Sequence, residues 1–205
     1  MWLAGERLLI RAMRLLTVHE EPMESDLIFV LAGCPSRKDY GLKLFYERWA
    51  PLLLLSTARF DIRKFARLEL PFCINLTQLS QGVPPQERYF FVAVDRRAWT
   101  MEQIRKRFWG TLSEIVALAH WMERHREVSS VLIVSSGFHL ARVRMCCEAM
   151  LPQSVSRRYV PVPEDEPAEF LRNDNRLRKF VVAELFKIPL YALLLWCRRR
   201  KPAYN

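Results

Sequence analysis

Four short apolar runs constrain the fold of this chain more than any other feature. Asp26-Leu-Ile-Phe-Val-Leu-Ala32 ends at Gly33, and Leu52-Leu-Leu-Leu55 ends at Ser56-Thr57. Tyr89-Phe-Phe-Val-Ala-Val94 and Val131-Leu-Ile-Val134 repeat the pattern, the last ending in Ser135-Ser136-Gly137. None alternates apolar with polar residues, so each predicts a strand buried on both faces, the habit of a parallel sheet. Helical spacing fills the gaps: 37–49 through Leu42, Phe45, Tyr46 and Trp49, then 61–69, Gly110 to Arg126, and 138–150. Arg158-Tyr-Val-Pro-Val162 reads as a further strand, and Pro161 assigns it to an edge. A last helix spans 173–197, while 70–88 reads as irregular around Gly82-Val-Pro-Pro85. The alternation predicts a three-layer α/β/α Rossmann-like sandwich with a mostly parallel sheet and apolar helices at both termini. Its parts are an amphipathic helix over 1–20, an α/β domain over 21–172, and a helix with a basic tail over 173–205.

Such a sheet binds ligands beyond the carboxyl ends of its strands, where helix N-termini also point. Gly33, Cys34 and Arg37 follow the first strand, Ser56 and Thr57 the second, Asp95-Arg96-Arg97 the third, and Ser135, Ser136 and His139 the fourth. These residues are small, hydroxylic or basic, which suits an anion. His139 and Arg142 share one helical face. Arg142 can grip a carboxylate or phosphate bidentately, or pair with a structural acid. His139 can transfer a proton near neutral pH, or donate to a nearby carbonyl. Thr111-x-x-Glu114 has the form of a capping box, and the alternative is that Glu114 faces His139 and tunes it. Ser36-x-x-Asp39 has the same form, with Arg37 as an anion contact. Cys34 reads either as a small loop hydrophobe or as a nucleophile, and Ser135 and Ser136 either contact phosphate or cap the following helix.

The charge balance also points to anionic partners: 32 basic against 22 acidic residues leaves +10 over 205 residues. Much of the excess lies in residues 176–205, which hold Arg176, Arg178, Lys179, Lys187 and the run Arg198-Arg199-Arg200-Lys201 against Glu184 alone. The same segment carries the most apolar stretch, Phe180 to Cys197, broken by Glu184, Lys187 and Pro189. A spanning helix needs about 20 mostly apolar residues. This stretch is therefore a poor span, and it reads as an interfacial or a buried helix, with the basic run placed to meet anionic headgroups. Near the N-terminus, Arg7, Arg11 and Arg14 fall on one face of an otherwise apolar helix and interrupt any secretory signal. Five cysteines (Cys34, Cys73, Cys146, Cys147 and Cys197) include no C-x-x-C pair, which is reduced, intracellular usage. No zinc-ligand spacing occurs, and His120 and His125 are read as exposed helix residues. No helix-turn-helix, zinc or stacking motif accompanies the charge, so nucleic acid is not the expected partner. The expected location is the inner face of the cytoplasmic membrane.

One family resemblance rests on these motifs. Val131-Leu-Ile-Val-Ser-Ser-Gly-Phe-His139-Leu-Ala-Arg142 resembles the strand–His–x–x–Arg signature of the YdcF/SanA/ElyC-type envelope proteins. Gly110-Thr111-Leu-Ser-Glu114, the opening Asp26 to Gly33 with Arg37 and Leu44-Phe-Tyr46, and the closing Glu184, Lys187 and Tyr191 resemble other parts of that pattern. The glycine-rich turns differ: Leu31-Ala32-Gly33-Cys34 and Ser56-Thr57-Ala58 stand where the family has more glycines. The resemblance implies a Rossmann-like fold, a strand-end pocket for a phosphorylated or nucleotide-like ligand such as S-adenosylmethionine, and a link to the envelope. His139 and Glu114 would be its catalytic groups. Gly33, Cys34, Arg37, Ser56, Thr57, Thr111, Ser135, Ser136 and Arg142 would line the pocket.

Overall fold

A computed structural model describes residue 16 and residues 18–59, 83–105, 110–163 and 175–199. Among them run β1 (Leu27–Val30), α1 (Pro35–Tyr46), β2 (Leu52–Arg59), β3 (Tyr89–Val94), β4 (Trp99–Gln103), α2 (Gly110–Arg124), β5 (Ser130–Ser135), α3 (Gly137–Met150), β6 (Ser156–Pro161) and α4 (Asn175–Arg199). The N-terminal helix with Arg7, Arg11 and Arg14, the helix expected over 61–69, Cys73 and the tail beyond Arg199 lie outside the described residues.

The six strands form one sheet in the order β4-β3-β2-β1-β5-β6. β2, β1, β5 and β6 are parallel, and β3 and β4 are antiparallel additions at one edge. The sandwich and its mostly parallel sheet follow the sequence pattern, as does the position of β6 at an edge. Alternate residues of each central strand feed opposite cores, because successive side chains leave opposite faces. Leu27, Phe29, Val131 and Ile133 join Ile115, Leu118, Leu140 and Val143 of α2 and α3 on one face. Ile28, Val30, Leu132 and Val134 join Leu42, Leu44 and Phe45 of α1 on the other. Helix α1 sits tight on β1: a Cβ on Gly41 would come within 2.3 Å of a Val30 methyl, so no larger residue fits there. α4 packs outside α3 and sends Tyr191 and Leu195 into the core.

The antiparallel edge corrects one expectation. β3 does not run with its neighbours, so Asp95-Arg96-Arg97 lies at the opposite end of the sheet from the other strand-end residues. These residues form a hairpin turn: the Asp95 carboxylate accepts from the amides of Arg97 and Ala98, both at 2.6 Å. β4 was not foreseen. Its sequence, Trp-Thr-Met-Glu-Gln, puts only Trp99 and Met101 against the core.

At that same far end, Asp26 fastens β1 to β5. One carboxylate oxygen accepts from the amides and hydroxyls of Ser129 and Ser130, at 2.8–2.9 Å. Partial burial opposes ionisation of Asp26, but these four donors outweigh it and hold the carboxyl below its ordinary range.

Candidate functional site

Connections leave β1 and β5 on opposite faces, β1 into α1 and β5 into α3. The two strands are neighbours, so the crevice beyond their carboxyl ends is the topological switch point of the sheet. The Arg37 guanidinium lies across it. Nε and Nη2 donate to Ser136 Oγ at 3.0 and 2.8 Å, and Nη1 donates to the Ala32 carbonyl at 2.6 Å. Gly33 permits this placement. Its φ is +150°, and a Cβ there would stand 2.4 Å from Nη1. Gly33 and Cys34 are exposed at the mouth, with Ser36 half-buried beside them.

The same loop also reaches Glu114. The Glu114 carboxylate accepts from the Ala32 amide at 3.0 Å and from the Ser56 hydroxyl. Neither side of the capping reading holds. Thr111 lies inside the first turn of α2, and Glu114 ties α2 to the ends of β1 and β2 rather than to its own helix. Its contacts do not include His139. Burial raises the Glu114 carboxyl above its usual range, against the pull of the Ser56 and Ala32 hydrogen bonds and the charges of Arg37 and Lys38. Ser36-x-x-Asp39 forms no capping box either: α1 begins at Pro35, and Ser36 Oγ meets Cys34 Sγ at 2.9 Å. Thr57 Oγ1 accepts from the Phe90 amide at 3.0 Å, within the sheet.

On the other side of the crevice His139 is enclosed by hydroxyls. Nδ1 lies 2.7 Å from Ser135 Oγ, and Nε2 lies 3.0 Å from Thr111 Oγ1. Burial, with the cations Arg37, Arg142 and Lys187 around it, pushes the imidazole well below its ordinary titration, so the ring is neutral at pH 7. A neutral ring donates through one nitrogen and accepts through the other. Proton exchange with a ligand therefore requires Ser135 or Thr111 to give up its place. Ser136 stands at the N-cap of α3, but neither its hydroxyl nor that of Ser135 caps the helix: Ser135 holds His139 and Ser136 holds Arg37.

Arg142 is paired with a structural acid. Nε and Nη2 grip both oxygens of Glu184 on α4 at 2.7 and 2.9 Å, and Nη1 donates to Thr111 Oγ1 at 2.5 Å. Lys187 Nζ adds a bond to Glu184 at 3.0 Å, and the guanidinium lies 4.8 Å above the Tyr191 ring. Burial opposes ionisation of Glu184, yet Arg142 and Lys187 hold its carboxyl below the usual range. The sequence assigned Glu184, Lys187 and Tyr191 no place in the site. Their signal was two ionisable residues at i and i+3 inside an otherwise apolar helix.

The polar groups thus form a belt from β2 across β1 and β5 to α4. A cleft of about 350 Å³ opens between α1 and the segment after β6, lined by Ser36, Asp39, Tyr40, Lys43, Val162 and Pro163; Ser36 precedes Arg37 in the chain, and no side chain of the belt lines it. Among the described residues, no three His, Cys, Asp or Glu side chains converge as metal ligands. His120 is exposed and bonded to Glu123 at 3.1 Å, while His125 stacks on Trp121 at 3.7 Å.

The fold and this belt define the class: a Rossmann-like α/β/α protein with a polar cluster at its strand ends. No protein-family model, curated protein or solved structure matches the chain. Helix α4 contains one segment, Lys179–Cys197, long and apolar enough by composition to cross a membrane.

Proposed function

We propose that this is a membrane-associated pocket protein of the YdcF-like type, acting in envelope biogenesis from the inner face of the cytoplasmic membrane. It takes a phosphorylated or nucleotide-like anion at the carboxyl ends of β1 and β5. The observation that carries this reading is Arg37. Among the described residues its guanidinium touches only neutral oxygens, those of Ser136 and Ala32, and no carboxylate lies within ion-pair distance. Its positive charge is therefore uncompensated in direct contact at the switch point, beside the exposed Gly33 and Cys34. A phosphate meets that charge, and the cleft on α1, which Ser36 and Lys43 line, has the volume of a small-molecule site. The sulfonium of S-adenosylmethionine does not suit a guanidinium, so only its carboxylate end fits Arg37. If chemistry follows, His139 is its acid–base group and Arg37 its anion holder.

A second reading, a non-enzymatic membrane-associated factor with a degenerate pocket, is favoured by Arg142 and His139. The first is spent on Glu184, and the second has both nitrogens occupied. Titration calorimetry of the full chain with pyrophosphate, adenosine diphosphate and S-adenosylmethionine separates the two. The first reading expects saturable binding of a phosphate-bearing probe that Arg37→Met abolishes while the circular dichroism spectrum stays unchanged. No binding of any probe by the folded parent supports the second reading and refutes the first.

A further inference from the structure

Helix α4 is amphipathic in the reverse sense. On an ordinary surface helix the apolar stripe faces the domain and the charges face water. Here the stripe Val181, Glu184, Ile188, Tyr191 and Leu195, at spacings of three and four, turns inward. It carries Glu184, and Lys187 at its margin closes onto that carboxylate. The opposite side is apolar throughout: Val182, Leu185, Phe186, Leu190, Leu193 and Trp196 are exposed, Phe186 at 75% and Leu193 at 55%. At about 100° per residue these six fall on one half of the helix, away from the buried stripe. Between residues 180 and 197 only Glu184 and Lys187 are charged. A continuous apolar face of this size on a folded domain needs a partner.

We infer that the outer face of α4 is an in-plane docking surface for an anionic lipid bilayer. The inference rests on the membrane association proposed above and deepens it: the contact is made by an inserted helix face, not by the basic tail alone. Two observations choose the bilayer as occupant. The sequence brackets the apolar face with Arg176, Arg178 and Lys179 at one end and Arg198-Arg199-Arg200-Lys201 at the other. These clusters meet anionic headgroups while the face between them enters the acyl boundary, and Trp196 suits that depth. Pairing with a second copy, parallel or antiparallel, would set basic end against basic end. Spanning is opposed by the inner stripe. A helix threaded through the bilayer would draw Glu184 from Arg142 and strip Tyr191 and Leu195 from the core. Lying in the plane, α4 keeps every inner contact, and Lys187, 45% exposed at its side chain, stays on Glu184 at the helix margin, clear of the inserted face.

The test is flotation of the full chain with phosphatidylcholine vesicles, with and without phosphatidylglycerol, in 0.15 M salt. The parent is expected to float with the anionic vesicles and to be released by an alkaline carbonate wash. Phe186→Asp and Leu193→Asp, at positions open to solvent, are expected to lower the bound fraction about tenfold or more each with unchanged thermal melts. Deletion of residues 198–205 should weaken binding in low salt without removing it. If both aspartate variants float like the parent, the face is not inserted and this inference fails while tail-mediated association stands. If the parent does not float at all, the membrane reading itself fails. Resistance to carbonate overturns the in-plane orientation. A parent that stays in solution as a dimer, and becomes a monomer on Phe186→Asp, assigns the face to a second copy and overturns the proposal.

Discussion

Replacing Glu184 by Ala tests whether α4 is an integral part of the domain. The Arg142 and Glu184 side chains are 7% and 6% exposed and share two charge-assisted hydrogen bonds. Removing one member of such a pair strands a buried charge and costs about 3–5 kcal/mol. Arg142 would keep Thr111 and the Tyr191 ring, which together offset about 1 kcal/mol or more and place the loss near the lower limit, ~3 kcal/mol. Lys187, half exposed, adds under ~1 kcal/mol. Against a total stability of about 5–15 kcal/mol this is a large fraction, and it lowers Tm by about 6–12 °C for a chain of this size. Urea unfolding followed by far-ultraviolet circular dichroism measures it. Glu184→Gln, which retains one acceptor, should cost about half as much. Arg142→Met with Glu184→Leu should recover most of the loss, because neither charge is then left alone. The pH dependence has a defined sign. Arg142 and Lys187 hold the folded carboxyl below the ordinary glutamate range, so its contribution is present at and above that range and is lost as pH falls through the lower folded value. The reasoning is refuted if Glu184→Ala unfolds within about 0.5 kcal/mol of the parent, or if the double variant is less stable than either single one.

Two further outcomes follow from the same geometry. Burial holds His139 neutral, so its contribution to stability is present above the ordinary histidine pKa and declines as pH falls below it; His139→Asn should flatten the stability profile between about pH 6.5 and 5, and an unchanged slope would place the titrating group elsewhere. Asp26→Ala leaves the amides and hydroxyls of Ser129 and Ser130 without their shared acceptor. In a partly exposed site this should cost about 1–2 kcal/mol, and hydrogen exchange should quicken first at the start of β5.

The central strands were legible because burial on both faces leaves a short apolar run, closed here by Gly33 or by the Ser-Thr and Ser-Ser pairs, whereas the apolar run of α4 continues to helical length. Leu27–Val30 and Val131–Val134 are such cases, and the strand-end residues could be listed from them. The antiparallel pair was not legible from the same rule. β3 is as apolar as its parallel neighbours, so its sequence says nothing of direction. The clue lay in the Asp95 turn and in the Trp99 and Met101 alternation after it. Of the residues expected just beyond the strands, Gly33, Cys34 and Ser136 do follow β1 and β5, whereas Ser56 and Thr57 lie inside β2 and Asp95-Arg96-Arg97 lies at the opposite end of the sheet; the hydrogen-bond partners were not legible at all. Glu114 and Thr111 fit a capping box by spacing alone, and only the packing of α2 across β1 turns both toward other elements. The partner of Arg142 lies 42 residues away on another helix, a distance over which sequence spacing carries no geometric information. The reversed polarity of α4 was equally hidden: composition marks the helix as apolar, and only the position of α3 decides which side faces out.

The seating of Tyr191 and Leu195 in the core makes α4 inseparable from the domain it carries. Many peripheral proteins can be trimmed of their anchor to give a soluble fragment with a complete fold. Here a truncation before residue 180 would open a hole beside α3 and strand Arg142. A variant that lacks the proposed membrane contact but keeps the fold is reached by exchanging outward residues of α4 one at a time, keeping the helix.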